Sequence, residues 1–452
     1  MNPAVVVAGG GISGLACAYR LQKLGVSVLV LEAGSHAGGL IESVANGNSL
    51  FESGPQSFQG TETLLGLIRE LGIEGMLCTA PPGAPRYVLR HGKLQAIPLS
   101  PQALLTTSLL GTRTRLRIAK DAAGHSKPPS EEESVAAFVR RKFGHEILEY
   151  LVTPFVSGVY AGDPEKLSLR AAFPSLEEWE REHGSILRGA VKSRSAGSPS
   201  APALCSFKEG LEQLPRAIAD HLGAQFQSGA AVRSITSRGG SGYKVQFEQN
   251  GTSCEVTAGA VVSAVPAYAT GLLVQSVSAT IAKLLSGILY APVAVVAHTY
   301  YTKQVGATLD GFGVLIPRTE KLRTLGIVWN SSLFPGRAPE GQVAFSSFLG
   351  GATDELILDK TDEEIAAVVA HDAAQILQIT GSPISSQIWR HPKALPQYNL
   401  GHGHIVEAIA AERAKTPGLF LTGNYLEGPA IGRCVETAFR VADEAARYVS
   451  AP

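Results

Sequence analysis

Short apolar runs and a stretch of helical periodicity alternate at the start of the chain. AVVVAGG and VSVLVLE are continuous apolar runs, and between them Leu15 to Leu24 carries apolar positions at helical spacing. Runs of that length read as buried strands and the segment between them as a helix, so a β-α-β unit is predicted to open the fold. A mixed region continues through IPLSP at 97–101, and a helical tract then extends to about Ser185. Within that tract, Ser130 and Glu133 in SEEESVAAF have the spacing of a capping box. SRSAGSPSAPA at 193–203 is small, polar and proline-containing, and reads as a flexible connection.

The pattern turns strand-like from about 230 to 265, where RGGSG and Asn250-Gly251 mark turns between strands. A β-rich segment runs on to about 350, and a helix follows near 362–378. The chain closes on a strand, LFLTG, and a long amphipathic helix with apolar positions at Ile431, Val435, Phe439, Ala442 and Ala446. Val256 to Ala282 and Leu284 to Thr302 lack charged residues, but Pro266 and Pro292 interrupt them. Buried strands and a core helix are expected there, with no transmembrane segment.

The first candidate chemistry lies in the turn after the first strand. Gly9, Gly11 and Gly14 form G-x-G-x-x-G between a strand and a helix, enclosing Gly10, Ile12 and Ser13. Such a turn lets backbone approach a pyrophosphate at a helix N-terminus. Glu32 ends the second strand eighteen residues beyond Gly14, where a carboxylate can accept ribose hydroxyls. Gly38 and Gly39 extend the nucleotide site, and GNYLEGPAIGR (423–433) supplies a second strand-to-helix turn at the other end of the chain. A helix dipole aimed at the pyrimidine side of a reduced flavin would stabilise its negative charge, so FAD is favoured over NAD, in a discontinuous domain.

Composition narrows the function class. The 452 residues are enough for two or three domains, and the 39 basic and 39 acidic residues balance, which argues against a nucleic-acid binder. Five scattered cysteines without CxxC or CxxH spacing argue against a disulfide scaffold or a zinc site, and favour a reducing compartment. No signal peptide is evident at the N-terminus. His402 and His404 lack a third ligand, so no metal is expected, and Cys434 reads as a structural thiol.

The opening GGGISGLACAYRL…EAGSHAGG and the closing GNYLEGPAIGRCVE resemble the amine-oxidase-like flavoprotein superfamily. VSGVYAGDPEKLSLRAAFPSL (156–176), SFKEGLEQLP (206–215), TLGIVWNSSLFPGRAP (324–339) and PQYNLGH (396–402) resemble the protoporphyrinogen oxidase family, over nearly the whole chain. The resemblance implies an α/β fold with α+β parts: a discontinuous Rossmann-like FAD domain (1–75, 204–270 and 400–452), a mixed-sheet substrate domain (76–100 and 271–399), and a helical, membrane-contacting domain (101–203). It implies oxidation of protoporphyrinogen IX in haem biosynthesis by hydride transfer to non-covalent FAD, with O2 reduced to H2O2. Coproporphyrinogen III is the alternative substrate. An amine oxidase or polyene desaturase of the same superfamily, and a non-catalytic flavin protein, are the competing functions.

Residue by residue, the resemblance assigns Gly9 to Gly14, Glu32, Ala33, Gly38, Gly39 and Leu40 to the cofactor. It places Gly54, Pro55, Gln56 and Ser57 along the flavin, Val232 at the adenine, and Pro429, Ala430 and Ile431 at the isoalloxazine end. Arg86, Gly158, Leu315 and Phe334 are assigned to the substrate, and a guanidinium suits its propionates. Gln56 stands where some relatives carry arginine, which removes a second basic contact. No acid–base constellation is evident, so the chemistry is expected to lie in the flavin.

PLSPQALLTTSLLGTRTRLRIAK (98–120) joins leucines to Arg113, Arg115, Arg117 and Lys120. It suits either an anionic membrane surface or an amphipathic lid over the pocket. Family membership implies peripheral contact with the inner face of the cell membrane, from the cytoplasm, and a homodimer.

Overall fold

The computed structural model describes residues 2–98, 100–124, 126–195 and 203–450. Its first sheet contains five parallel strands in the order Phe226–Gln227, Val28–Leu31, Val5–Ala8, Ala260–Ser263 and Leu419–Leu421. The apolar runs at both ends of the chain thus meet in one sheet, and its central strands are buried throughout. Helices Ile12–Lys23 and Ile431–Ser450 cover one face, packing Leu15, Ala18, Val435 and Ala442 on Val5 and Val7. A three-stranded antiparallel sheet (Ala230–Ser237, Tyr243–Gln249, Thr252–Ala258) covers the other, through Tyr243, Val245 and Phe247. Asn250 and Gly251 join its last two strands with φ of 51° and 76°, the left-handed pair that a two-residue hairpin turn requires.

The second large sheet has seven strands, in the order Ser385–Pro396, Tyr290–Tyr301, Gln342–Gly350, Gly326–Val328, Gly313–Leu315, Arg86–Arg90 and Lys93–Ala96. Only Gly313–Leu315 and Arg86–Arg90 run parallel. Helix Asp362–Leu377 packs behind this sheet, begun by a true capping box between Thr361 and Glu364. The two charge-free stretches resolve into strands and short helices, and no helix among the described residues is long and apolar enough to cross a membrane.

The segment 101–195 is helical, and two details differ from the sequence reading. The helix in SEEESVAAF is Val135–Lys142, capped by Ser134 rather than Ser130. Glu133 pairs with Arg141, and Glu132 accepts from Ser168 Oγ and the Gly401 N–H, so tertiary partners claim those carboxylates. Helix Ile186–Ser195 extends past Ser185 and into the expected connection at 193–203, whose residues 196–202 lie outside the described ones.

A buried ionic cluster holds these helices together. Asp121 takes Lys142 Nζ at 2.6 Å and caps the Ile186 helix by accepting from Ser185 Oγ and the Ile186 N–H. Fully buried Glu180 accepts two bonds of 2.8 Å from Arg141 and one of 2.6 Å from Ser126 Oγ. Burial pushes the Glu180 carboxyl up, but the bonds from Arg141 and Ser126 and the charges of Arg141 and Lys142 outweigh it, bringing it from 4.5 to about 2. A carboxyl lowered on folding stabilises the fold above its unfolded value, and that stabilisation is lost as pH falls through the folded one. The melting temperature should therefore drop between pH 5 and pH 2, with a shallower drop for Glu180→Gln followed by circular dichroism. An identical acid slope in both proteins would contradict this account.

Candidate active site

The glycine turn is tight because its own backbone fills the space. A Cβ on Gly14 would lie 1.9 Å from the Gly9 carbonyl oxygen, so that position admits glycine alone. Gly11 precedes the helix in extended backbone (φ −70°), and a Cβ there would meet no atom within 4 Å. No side chain caps the helix, and its first turn holds no acid. The helix N-terminus thus lies beside a space at Gly11 that the chain does not fill, as a bound pyrophosphate requires.

The neighbouring cofactor candidates converge on this turn. Glu32 accepts from the Gly10 N–H at 2.5 Å and the Gly34 N–H at 2.6 Å, and its remaining lone pairs leave capacity for a ribose. Ala33 is exposed beside it, and the strand carrying Val232 begins where the Ala230 N–H meets the Glu32 carbonyl at 2.7 Å. The Gly38 N–H donates to the Gly10 carbonyl, and Gly39 lies against Gly11. Leu40 is half-exposed, and its carbonyl oxygen would lie 2.2 Å from a Cβ on Gly54, which seats Gly54–Ser57 alongside.

The second turn arrives from the far end of the chain. Ala430 accepts the first helical bond of Ile431–Ser450, from Cys434, so Pro429, Ala430 and Ile431 form that helix's entry. The Cys434 side chain meets Ser13, which brings the two helix N-termini together. Burial pushes the Cys434 thiol up to about 11, so it stays protonated and unreactive at neutral pH. Tyr398 of PQYNLGH hydrogen-bonds the Asn424 carbonyl, tying that motif to the same turn.

One face of the seven-stranded sheet carries the substrate candidates. Strand register aligns Trp389, Val295, Phe348, Gly326, Leu315 and Val88 in one row across six strands. The adjacent row on the same face is Gln387, Ala297, Ser346, Val328, Gly313 and Arg86. Phe51 packs on this face with Ala297 and Trp389, and His391 Nε2 donates to the Ser53 carbonyl at 2.7 Å. The face therefore runs from the Gly54–Ser57 segment at one end to Arg86 at the other. Helix Thr153–Tyr160 lies across it, where a Cβ on Gly158 would meet Leu315 at 2.7 Å.

Arg86 is exposed, stacks 5.4 Å from the Phe312 ring centre, and pairs with no carboxylate among the described residues. Arg90, on the same strand, is already held by Glu146 at 3.0 Å. Phe334 is 2 % exposed and packs with Cys78 and Leu333, and Phe312 and Val328 of the face lie against the same cluster. Gln56 is locked: its amide nitrogen donates to the Glu52 and Gly54 carbonyls, and its oxygen accepts from Asn330 at 2.7 Å. Phe312, Phe348, Trp389 and His391 carry no local sequence signal, because strand pairing and packing with distant segments bring them into line with Leu315 or beside Arg86 and Ser53.

The flavin containing amine oxidoreductase profile matches residues 12–449. The chloroplastic protoporphyrinogen oxidase of Nicotiana tabacum is 37 % identical over 98 % of this chain and 86 % of its own length. The chain belongs to the protoporphyrinogen oxidase branch of the flavin-containing amine oxidoreductases. The coproporphyrinogen III oxidase of Bacillus subtilis is 28 % identical over 98 % of each protein. A crystal structure from Exiguobacterium sp. 255-15, given as a candidate protoporphyrinogen oxidase, superposes with a TM-score of 0.82 at 22 % identity over 98 % of each chain. A reduced UDP-galactopyranose mutase superposes with a TM-score of 0.76 at 14 % identity, covering 99 % of this chain and 97 % of its own; both likenesses bear on fold. This protoporphyrinogen oxidase family member is an FAD-dependent oxidoreductase, and the open Gly11 position and uncapped helix fit that cofactor.

Proposed function

We propose that this family member oxidises protoporphyrinogen IX to protoporphyrin IX in haem biosynthesis. The observation that carries the choice of substrate is the sheet face, whose two rows hold a single charged side chain, Arg86, at one edge. Protoporphyrinogen has two propionates on adjacent rings, which one edge can serve. Coproporphyrinogen III has a propionate on all four rings, so some would lie unpaired over Leu315, Val328 and Phe348, at the cost of an uncompensated buried charge.

When bound, FAD would supply the two-electron chemistry, as acceptor of a hydride from substrate carbon with O2 as the final oxidant. Each round removes two hydrogens as hydride and proton and turns one O2 into H2O2, so three rounds give the porphyrin. In this reading Gly9–Gly14, Glu32 and Ala33, Gly38–Leu40, Gly54–Ser57, Val232 and Pro429–Ile431 hold the cofactor without a covalent bond. Arg86 binds carboxylate, Gly158 and Leu315, in contact with each other, form one wall beside the macrocycle, and Phe334 backs Val328 and Phe312. The apolar floor excludes water and fixes the reacting carbon, which is the protein's main contribution to rate.

The division into a flavin domain, a substrate domain and a helical domain belongs to the same reading, as do a homodimer and peripheral membrane contact. Leu109 and Leu110 of the 98–120 segment are buried in the helical core. Membrane contact would therefore rest on Leu116, 70 % exposed, with Arg113, Arg117 and Lys120 around it.

The reading is tested by porphyrin fluorescence in air, with protoporphyrinogen and coproporphyrinogen each corrected for spontaneous oxidation. Protoporphyrinogen should be preferred in kcat/KM by at least about tenfold, or ~1.4 kcal/mol. Faster coproporphyrin formation would reverse the assignment. Acceleration of neither, with flavin bound, would redirect the search to amines and polyenes.

A further inference from the structure

Three of the sequence segments singled out above meet at a buried ion pair that the cofactor assignment does not use. Glu52, just before Gly54–Ser57, is 2 % exposed, and Arg337 of the FPGRAP segment is 1 % exposed. They meet at 3.1 Å, and Glu52 also accepts from Ser43 Oγ at 2.5 Å and the Leu211 N–H at 3.0 Å. Arg337 donates to Ser206 Oγ at 2.6 Å, within SFKEGLEQLP, and its guanidinium lies 5.8 Å from the Phe334 ring centre. Gly210 (φ +95°) carries the chain over the carboxylate, where a Cβ would meet Ser43 Oγ at 2.2 Å.

A second polar contact runs parallel to the first. Asn330 Nδ2 donates to Gln56 Oε1 at 2.7 Å, and both residues are buried. Residues 52 and 56 of the flavin-lining segment are thus gripped by residues 337 and 330 of one short stretch, which begins directly after strand Gly326–Val328 of the substrate sheet. Arg337 Nη1 and Asn330 Oδ1 have no protein partner, and burial pushes the Glu52 carboxyl up and the Arg337 guanidinium down despite their attraction. Well-packed apolar residues are often as stable as a buried pair of this kind, so stability alone is a weak reason to keep it.

We infer that Glu52–Arg337 and Gln56–Asn330 form a polar clamp that sets the flavin-lining segment against the substrate floor, with Arg337 as a positioning residue. The clamp acts through backbone: Glu52 and Gln56 bracket Gly54, so their anchors fix where that backbone lies relative to Leu315 and Phe348. A misplacement of this kind lowers turnover without weakening substrate binding. The inference rests on the flavin assignment and not on which porphyrinogen is oxidised.

The test compares Arg337→Met, the double variant Glu52→Gln/Arg337→Met, and Asn330→Ala. Each is measured for melting temperature, FAD affinity of the apoprotein, visible flavin spectrum, kcat and KM. The single variant Arg337→Met should melt lowest, because it strands the Glu52 carboxylate. The double variant should recover most of that loss, yet bind FAD at least tenfold more weakly and turn over at least tenfold more slowly, with KM within twofold. Asn330→Ala should shift the flavin absorption maxima and weaken FAD about threefold. A double variant with recovered melting temperature and wild-type FAD affinity and kcat would overturn the clamp. Should the double variant not fold, an unchanged spectrum and FAD affinity in Asn330→Ala would overturn it instead. Failure of the porphyrinogen reading would show separately, as wild-type protein that binds FAD but forms no porphyrin.

Discussion

Gly11→Ala is expected to give a folded protein that has lost its yellow colour. Gly11 has φ −70° and ψ 173°, a backbone that alanine adopts freely, and a Cβ built there meets no protein atom within 4 Å. The chain itself therefore has no objection to the methyl group. The space it would occupy lies before the uncapped first turn of helix Ile12–Lys23, where the pyrophosphate is proposed to sit. FAD affinity should fall on the order of 100-fold, ~2.7 kcal/mol, while the apoprotein melts as wild type does. Gly14→Ala is the contrasting case, since its Cβ would lie 1.9 Å from the Gly9 oxygen and disrupt the turn whether or not cofactor is present. The ratio of flavin to protein absorbance, together with apoprotein melting, separates the two. Full flavin occupancy in Gly11→Ala would show that the pyrophosphate lies elsewhere.

Arg86→Ala should raise KM for the porphyrinogen roughly 10- to 100-fold, with flavin content and spectrum unchanged. The range follows from the ~1.5–3 kcal/mol of a hydrogen bond to a charged group. Arg86 is suited to this because its charge is uncommitted: it stacks on Phe312 and lacks a carboxylate partner among the described residues. Arg90 is the internal control, since its guanidinium is engaged by Glu146 and stacks 4.5 Å from the Tyr150 ring centre. Arg90→Ala should lower the melting temperature more than it raises KM. Lysine at position 86 should restore part of the binding, because it keeps the charge but not the planar fork. Steady-state kinetics on both variants decides the matter, and an unchanged KM in Arg86→Ala would remove Arg86 from the substrate site.

Much of the flavin side was legible in advance because its signals are local. An apolar strand, a glycine turn and an amphipathic helix follow one another within thirty residues, and each obeys a short-range rule of period or φ. Asn250-Gly251 specified a hairpin for the same reason, through two left-handed residues. Local signals also misled. Ser130 and Glu133 have the spacing of a cap, but Glu133 is drawn to Arg141 and the helix begins four residues later, behind Ser134. Leu109 and Leu110 read equally well as membrane-facing or inward, and only packing in the helical core decided that they face inward.

The residues of AVVVAGGGISGLACAY could form little other than a strand, a turn closed on its own carbonyl and a helix start. That part of the protein is contained in its sequence, since the atom that most constrains Gly14, the Gly9 carbonyl oxygen at 1.9 Å, belongs to the same turn. The floor beneath the proposed substrate is different. Arg86 lines up with Gly313, and Glu52 with Arg337, only because distant segments return to the same sheet and the same buried pocket. Side-chain alternation says which residues share a face of one strand, but not which strand lies beside it or what covers that face. Those choices are made by the summed burial of several segments at once, so they appear only when the whole chain has folded.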